Sequence, residues 1–351
     1  MRMTGAEHVL PTLVACSLRG ESPPGDRSVG LAPSIPGREA KDGGTPLPTS
    51  GRIVRAPGPG QVLVIGGHEN HDGRRKILRA FVRAARGREA RLAVITTASG
   101  VPDRTGEEYR DEFSTLGVEH CIVHHLADRR AAGEPRIAQA LALATGIFFT
   151  GGDQLRITSL LGGTRAEQAI RHAYQRGAVI AGTSAGASAM SANMIVGGMS
   201  DVSARREIVR MAPGLGYLPD LVIDQHFAQR GRLSRLLAIL SQNPALLGVG
   251  VDEDTAFVVG HDRMLRVLGT NTVTVLDGRS IRLSTASEAD LEQPLTLTHV
   301  TLHVLSDGHV FDLERREPVL GVGHALRSAP PRAGQRVVRL HPAPAARRRP
   351  V

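Results

Sequence analysis

Tryptophan is absent from these 351 residues, and tyrosine and phenylalanine number only three and seven. So few rings argue against the aromatic platforms on which single-stranded nucleic acids stack. Cysteine is scarce as well: Cys16 and Cys121 stand far apart, which argues against a disulfide framework. No run of 18 apolar residues occurs, so no segment has the length of a membrane-spanning helix.

A folded surface of one charge sign is also missing, although the net charge is +9. Residues 1–57 hold seven basic and five acidic residues, while residues 327–351 hold seven arginines and no acid. The excess therefore belongs to a Pro/Ala/Arg tail ending in Arg347-Arg348-Arg349, and the chain between is close to neutral. A solvated tail is the expectation, with no nucleic-acid or membrane partner. Residues 17–57 are rich in Pro, Gly and Ser and show no apolar periodicity, the composition of a linker or disordered extension. Leu13-Val14-Ala15-Cys16 has the look of a lipoprotein cleavage site. However, Glu7, His8 and Pro11 interrupt the apolar stretch before it, and Arg2 is its only basic residue. A cytoplasmic protein is the expectation, with export as the alternative. The division read from the sequence is an extension over 1–57, a catalytic domain over 58–322 and a basic tail over 323–351.

The domain is dense in glycine, with 40 in the whole chain, as tight strand–helix connections require. Apolar runs at 61–65, 91–97, 120–124, 146–150 and 178–182 alternate with helical periodicity near 75–82, 106–116, 136–144 and 164–176. Unbroken apolar strands alternating with helices predict an α/β fold, a mainly parallel sheet sandwiched by helices. After residue 255, runs at 256–259, 264–268, 272–276 and 295–305 follow one another without helices. With hairpin-type turns at Asp277-Gly278 and Asp307-Gly308, they predict antiparallel strands at the edge of the same domain.

The strongest local signal is Gly182-Thr183-Ser184-Ala185-Gly186, between a strand and the small-residue stretch 187–193, which is able to form a helix. Such a G-x-S-x-G turn is a nucleophile elbow, with Ser184 projecting above the sheet and the Ala185 N–H free for an oxyanion. As an alternative, the motif is a glycine-rich turn that packs a helix closely on a strand. A serine nucleophile needs a base and the base an orienting acid. His226 ends the apolar run 221–223 in a polar cluster, and Val251-Asp252-Glu253-Asp254 ends another run in three acids. Pattern does not choose among the three carboxylates. Gly151-Gly152-Asp153-Gln154 follows a third strand, where a glycine N–H can serve an oxyanion and Asp153 can cap the next helix. Arg230, Arg232 and Arg235 stand within a few residues of His226. They suggest an anionic substrate, although a solvated helix face is the simpler origin of such a run. Two clusters, His120/Cys121/His124/His125 and His68/Glu69/His71/Asp72, lack the ligand spacing of a closed metal site, so no metal is expected.

Taken together these motifs, with Ile65-Gly66-Gly67 at the start and Val273-Thr274-Val275-Leu276-Asp277-Gly278 at the end, resemble the cyanophycinase family of serine peptidases over residues 58–320. The resemblance implies a dimeric α/β protein related in fold to class I glutamine amidotransferases, with a Ser-His-Glu triad and no cofactor. Carried over by motif, Ser184 is the nucleophile, His226 the base and Glu253 its orienting acid, and Gly152 and Ala185 supply the oxyanion hole. Gln154, Asp224, Gln225, Arg230, Arg232 and Arg235 fall on substrate-binding positions. The implied reaction is exopeptidase hydrolysis of cyanophycin, a polyaspartate whose side-chain carboxyls carry arginine, to β-aspartyl-arginine. In it, arginines bind backbone carboxylates and acids such as Asp224 bind the substrate guanidinium. An aspartyl dipeptidase of the same superfamily is the alternative, disfavoured by the three arginines, and a non-catalytic binding protein on this fold is a second.

Overall fold

The computed structural model describes residues 58–320 apart from residue 201. The N-terminal extension with the segment 13–16, and the arginine-rich tail, lie outside the described residues. In chain order the first half forms β1 (Val62–Ile65), α1 (Lys76–Ala84), β2 (Arg91–Ile95), α2 (Pro102–Thr115), β3 (His120–His124), α3 (Arg129–Gly133), α4 (Pro135–Ala142), β4 (Gly146–Phe149), α5 (Gln154–Leu161), α6 (Arg165–Gln175) and β5 (Val179–Thr183). There follow α7 (Ala185–Ser188), β6 (Asn193–Gly198), β7 (Val209–Pro213), β8 (Leu221–Gln225), α8 (Leu233–Gln242) and β9 (Leu247–Val251). The chain then continues through β10 (Thr255–Val259), β11 (Met264–Gly269), β12 (Thr272–Asp277), β13 (Thr301–Ser306), β14 (Val310–Asp312) and β15 (Glu317–Pro318).

Nine strands in the order β15-β14-β11-β10-β1-β5-β4-β2-β3 form the main sheet. The five from β1 to β3 run parallel, and the other four extend it antiparallel from β1. The inner parallel strands β1, β2, β4 and β5 are almost continuously apolar and buried because both faces are covered, whereas β3 at the edge is mixed and only partly buried. Leu63, Ile65, Val94 and Phe148 point to the face packed by Phe81 of α1 and Phe113 of α2. Val62, Val64, Ile95 and Phe149 point the other way, into a core shared with α4, α5 and α6.

A second sheet, ordered β13-β12-β9-β8, packs against that same core through Ile223, Val249, Val251 and Val275. Its outer face carries Val222 and Leu276, which α8 covers with Leu236 and Leu240. No helix among the described residues is long and apolar enough to cross a membrane.

The α/β class and the parallel sheet agree with the sequence reading, but the late strands divide differently. Instead of one antiparallel edge, β10, β11, β14 and β15 extend the main sheet while β12 and β13 complete the second. Asp277-Gly278 closes no hairpin, since β13 begins only at Thr301. Asp277 is instead buried and paired with Arg279 and Arg316. Asp307-Gly308 does turn the chain, with the His309 N–H donating to the Ser306 carbonyl at 3.1 Å, yet it passes from one sheet to the other. Turn residues specify a local reversal and carry no information about which strand the returning chain joins. The helix after Ser184 stops after one turn, and β6 takes up the chain from Asn193.

Candidate active site

Each residue that carries chemistry leaves the C-terminal end of a parallel strand, where open α/β sheets place ligands. One short segment holds them in register. After β1, the carbonyl of Ile65 accepts from the Ser184 N–H at 3.0 Å, that of Gly66 from the His226 N–H at 2.9 Å, and that of Gly67 from the Asp254 N–H at 2.9 Å. The approach excludes side chains at both glycines: a Cβ at Gly66 would lie 2.0 Å from the Asp252 carbonyl oxygen, and one at Gly67 2.4 Å from the His226 ring.

At the end of β5, Ser184 takes φ 51° and ψ −109°, a backbone that costs energy for any side-chain-bearing residue and is sustained by its surroundings. Those surroundings are tight. A Cβ at Gly186 would lie 2.4 Å from the Phe149 carbonyl oxygen, and one at Gly182 2.3 Å from that of Gly186.

The Ser184 Oγ lies 2.9 Å from His226 Nε2, and His226 Nδ1 lies 2.7 Å from Glu253 Oε1. A carboxylate can only accept, so Nδ1 carries the ring proton and Nε2 is left to accept from the serine hydroxyl. The three acids after β9 thus separate by partner. Asp252 accepts from the Ala228 N–H and from the N–H and hydroxyl of Thr272. Asp254 accepts from the Asn70 N–H and the Thr270 hydroxyl. Only Glu253 reaches the imidazole. Burial pulls the His226 pKa below its ordinary value; the Glu253 hydrogen bond opposes that shift and the Arg230 charge adds to it.

On the far side of the serine, Gly152 has φ 135°, and a Cβ there would lie 2.0 Å from the Ala98 carbonyl oxygen. Neither the Gly152 nor the Ala185 N–H donates to an acceptor among the described residues. Asp153 caps α5 by accepting from the Leu155 N–H at 2.9 Å, as the capping reading of this turn expects. Gln154 is half-buried and donates from Nε2 to the Ile195 carbonyl at 2.5 Å.

Of the two metal-type clusters in the sequence, neither converges. His120 and His124 lie on one face of β3 and Cys121 on the other. Potential ligand atoms gather instead at His68, His226 and Glu253, within 4.8 Å of one another, where both His226 nitrogens are already hydrogen-bonded.

A cleft of about 430 Å³ opens over the serine, lined by Ser184, His226, Gly151, Arg230, Glu69 and Tyr109 among others. Of the three arginines read as substrate-binding, only Arg230 faces it. Arg232 and Arg235 are 8% and 4% exposed, and Asp224 is fully buried between them. Arg232 Nη1 donates to Asp224 Oδ1 at 3.1 Å and also to the carbonyl and side-chain oxygens of Gln225. Arg235 Nε lies 2.9 Å from Asp224 Oδ2, a charge contact without hydrogen-bond alignment. Burial raises the Asp224 carboxyl to about 6, with Arg235 and Arg232 pulling the other way. Asp224, Arg232 and Arg235, expected from the sequence at substrate-binding positions, form an internal ion cluster at the end of β8, joined by Gln225. Helical spacing showed the arginines near His226 but not which side of α8 the second sheet would cover.

Glu69 is the residue that the sequence reading undervalued, having placed it only in a metal-type cluster. It follows the β1 strand end, as the other site residues follow theirs, and that position was the available signal. For the ion cluster, Asp224→Asn leaves two buried guanidinium groups without a counter-charge. It is expected to cost about 3–5 kcal/mol, read as a lower urea midpoint at unchanged slope. A change under 1 kcal/mol would show that the cluster is not the support inferred for β8 and α8.

The model of peptidase family S51 matches residues 62–267. A cyanophycinase from Synechococcus elongatus is 40% identical over 259 residues, 74% of this chain and 80% of the relative. One from Geminocystis herdmanii is 39% identical over 262 residues, 74% of this chain and 96% of the relative. Among solved structures, a peptidase from an acI-B1 actinobacterium superposes with a TM-score of 0.56 at 20% identity, covering 73% of this chain and 98% of its own, which shows a shared fold. With a family match over more than half its length and relatives of this identity, the chain belongs to peptidase family S51.

Proposed function

We propose that this peptidase hydrolyses cyanophycin, or arginine-bearing aspartyl peptides cut from it, through an acyl-enzyme on Ser184. The observation that carries the reading is the unbroken chain from Ser184 Oγ through His226 to Glu253, at 2.9 and 2.7 Å. The substrate class is supported by the curated cyanophycinases that this chain resembles and by the exposed Arg230 in the cleft.

In this mechanism His226 Nε2 takes the Ser184 proton as Oγ attacks the backbone carbonyl carbon. The N–H groups of Gly152 and Ala185 receive the developing oxyanion. His226, held by Glu253, then protonates the leaving amine as the peptide C–N bond breaks. Water, deprotonated by the same imidazole, releases the acyl group and restores the serine. Loss of oxyanion donors in enzymes of this kind costs on the order of 10²–10³ in rate.

We also propose a homodimer. At β3, an edge of the main sheet with no further strand among the described residues, Ile122 and Leu143 are exposed apolar residues, and an unpaired edge is a ready surface for a second chain. Light scattering on the purified protein is expected to give twice the chain mass, and a single-chain mass at micromolar concentration rejects the dimer.

Two outcomes test the chemistry. Wild-type protein incubated with cyanophycin is expected to release β-aspartyl-arginine by mass spectrometry, and Ser184→Ala to release none. Cleavage of free Asp-X dipeptides alone would favour a dipeptidase, and silence on both a binding protein. Because burial lowers the His226 pKa, its neutral, proton-accepting form persists to lower pH than in a free imidazole. The acid limb of kcat/KM against pH is accordingly expected below about 6.5; a limb above that value would contradict His226 as the base.

A further inference from the structure

We propose that Glu69 is the guanidinium-binding residue of the Ser184 cleft, taking the arginine branch of the substrate while Arg230 faces the carboxylate of that branch. The inference rests on the substrate class proposed above and names the residue that reads it.

Glu69 is only 3% exposed, and both its oxygens are held by neutral donors. The Tyr109 hydroxyl donates to Oε1 at 2.6 Å and the Thr183 hydroxyl to Oε2 at 2.6 Å. Burial, and next the Glu69 charge, raise the Tyr109 pKa well above its ordinary value, so that hydroxyl stays protonated as a donor. Of the other enclosed carboxylates, Asp224 has Arg232 and Arg235, Asp277 has Arg279 and Arg316, and Glu112 has Arg75, while Asp252, like Glu69, is held by neutral donors but does not line the cleft. Among the described residues no lysine, arginine or histidine pairs with Glu69. A carboxylate withdrawn from water and lacking a cation is costly to maintain, and its position shows where a cation would come from. It borders the same cleft as Ser184 and His226, and its partner Thr183 immediately precedes the nucleophile.

Each carboxylate oxygen offers two acceptor sites, and one hydroxyl on each leaves a second for the planar fork of a guanidinium. Charge across the cleft is divided to match. On the β1 side stand Glu69 and, exposed from α2, Glu108; on the β8 side stands the exposed Arg230. An arginine attached through its α-amino group carries a free carboxylate near one end and a guanidinium at the other, the same two charges in the same relation. Asp224, the acid that the sequence suggested for this task, is already neutralised by two arginines of its own chain.

The test compares aspartate oligomers whose side-chain carboxyls carry either arginine or citrulline, which is nearly the same shape but uncharged. Wild type is expected to favour the arginine oligomer in kcat/KM by about tenfold to a hundredfold, the range for a hydrogen bond to a charged group. In Glu69→Gln that ratio is expected to fall towards one, with the loss concentrated on the arginine oligomer. Equal rates for the two oligomers with wild type, which needs no variant, would overturn the proposal. So would an equal loss on both in Glu69→Gln, which would make Glu69 a support for Thr183. If wild type cleaves neither oligomer, the substrate class has failed, and calorimetry with Ser184→Ala still judges the subsite. Tighter binding of β-aspartyl-arginine than of β-aspartyl-citrulline, abolished by adding Glu69→Gln, supports it, and equal binding of the two overturns it.

Discussion

Three consecutive backbone carbonyls organise this protein's chemistry. Ile65, Gly66 and Gly67 accept in turn from the N–H groups of Ser184, His226 and Asp254. Nucleophile, base and the residue after the orienting acid thus hang on one extended stretch of chain. Backbone hydrogen bonds fix distances to a few tenths of an ångström and do not depend on rotamers, so they hold triad members from three strands in register. The arrangement demands glycine at 66 and 67, because the Asp252 carbonyl and the His226 ring occupy the space a Cβ would fill. It also joins the two sheets, since β1 and β5 belong to the main sheet while β8 and β9 belong to the second.

Charge is partitioned with equal strictness. The arginines nearest His226 in sequence are consumed inside the fold, where Asp224 between Arg232 and Arg235 fixes the end of β8 against the start of α8. Buried ion clusters of this kind owe little net stability to their Coulomb attraction, since desolvation offsets most of it. Their consequence is positional: the strand that presents His226 cannot shift without separating buried charges. Arg230, just before them, is left exposed at the cleft, where its charge adds to the lowering of the His226 pKa by burial. A short stretch of basic residues thereby supplies both an internal ion cluster and a cation at the cleft.

Much of the architecture was legible beforehand because its causes are local. Unbroken apolar runs marked β1, β2, β4 and β5, and helical spacing marked α1, α2, α4 and α6, since burial on both faces of a parallel sheet imposes that pattern residue by residue. The elbow at Ser184 was legible for the same reason: its strain and its glycine neighbours are a property of five consecutive residues. The reading weakened where a pattern has two outcomes. The run of small residues after Ser184 gave one helical turn and then a strand, and the turn signals at Asp277 and Asp307 did not tell which sheet the chain would enter.

The sequence by itself determined the strand–helix alternation, the elbow and the candidate base, all encoded in short windows of apolar spacing and glycine placement. Spacing alone left Asp252, Glu253 and Asp254 equivalent and only the resemblance named Glu253; the tertiary structure supplies the contact of Glu253 with the imidazole, because the three differ only in partners drawn from distant elements. It alone turned Asp224, Arg232 and Arg235 inward and brought Glu69 beside Thr183, a contact between residues 114 positions apart. Periodicity fixes which residues are buried, but burial does not say against whom; that is set when separate strand ends converge, and at this site the convergence is the β1 loop.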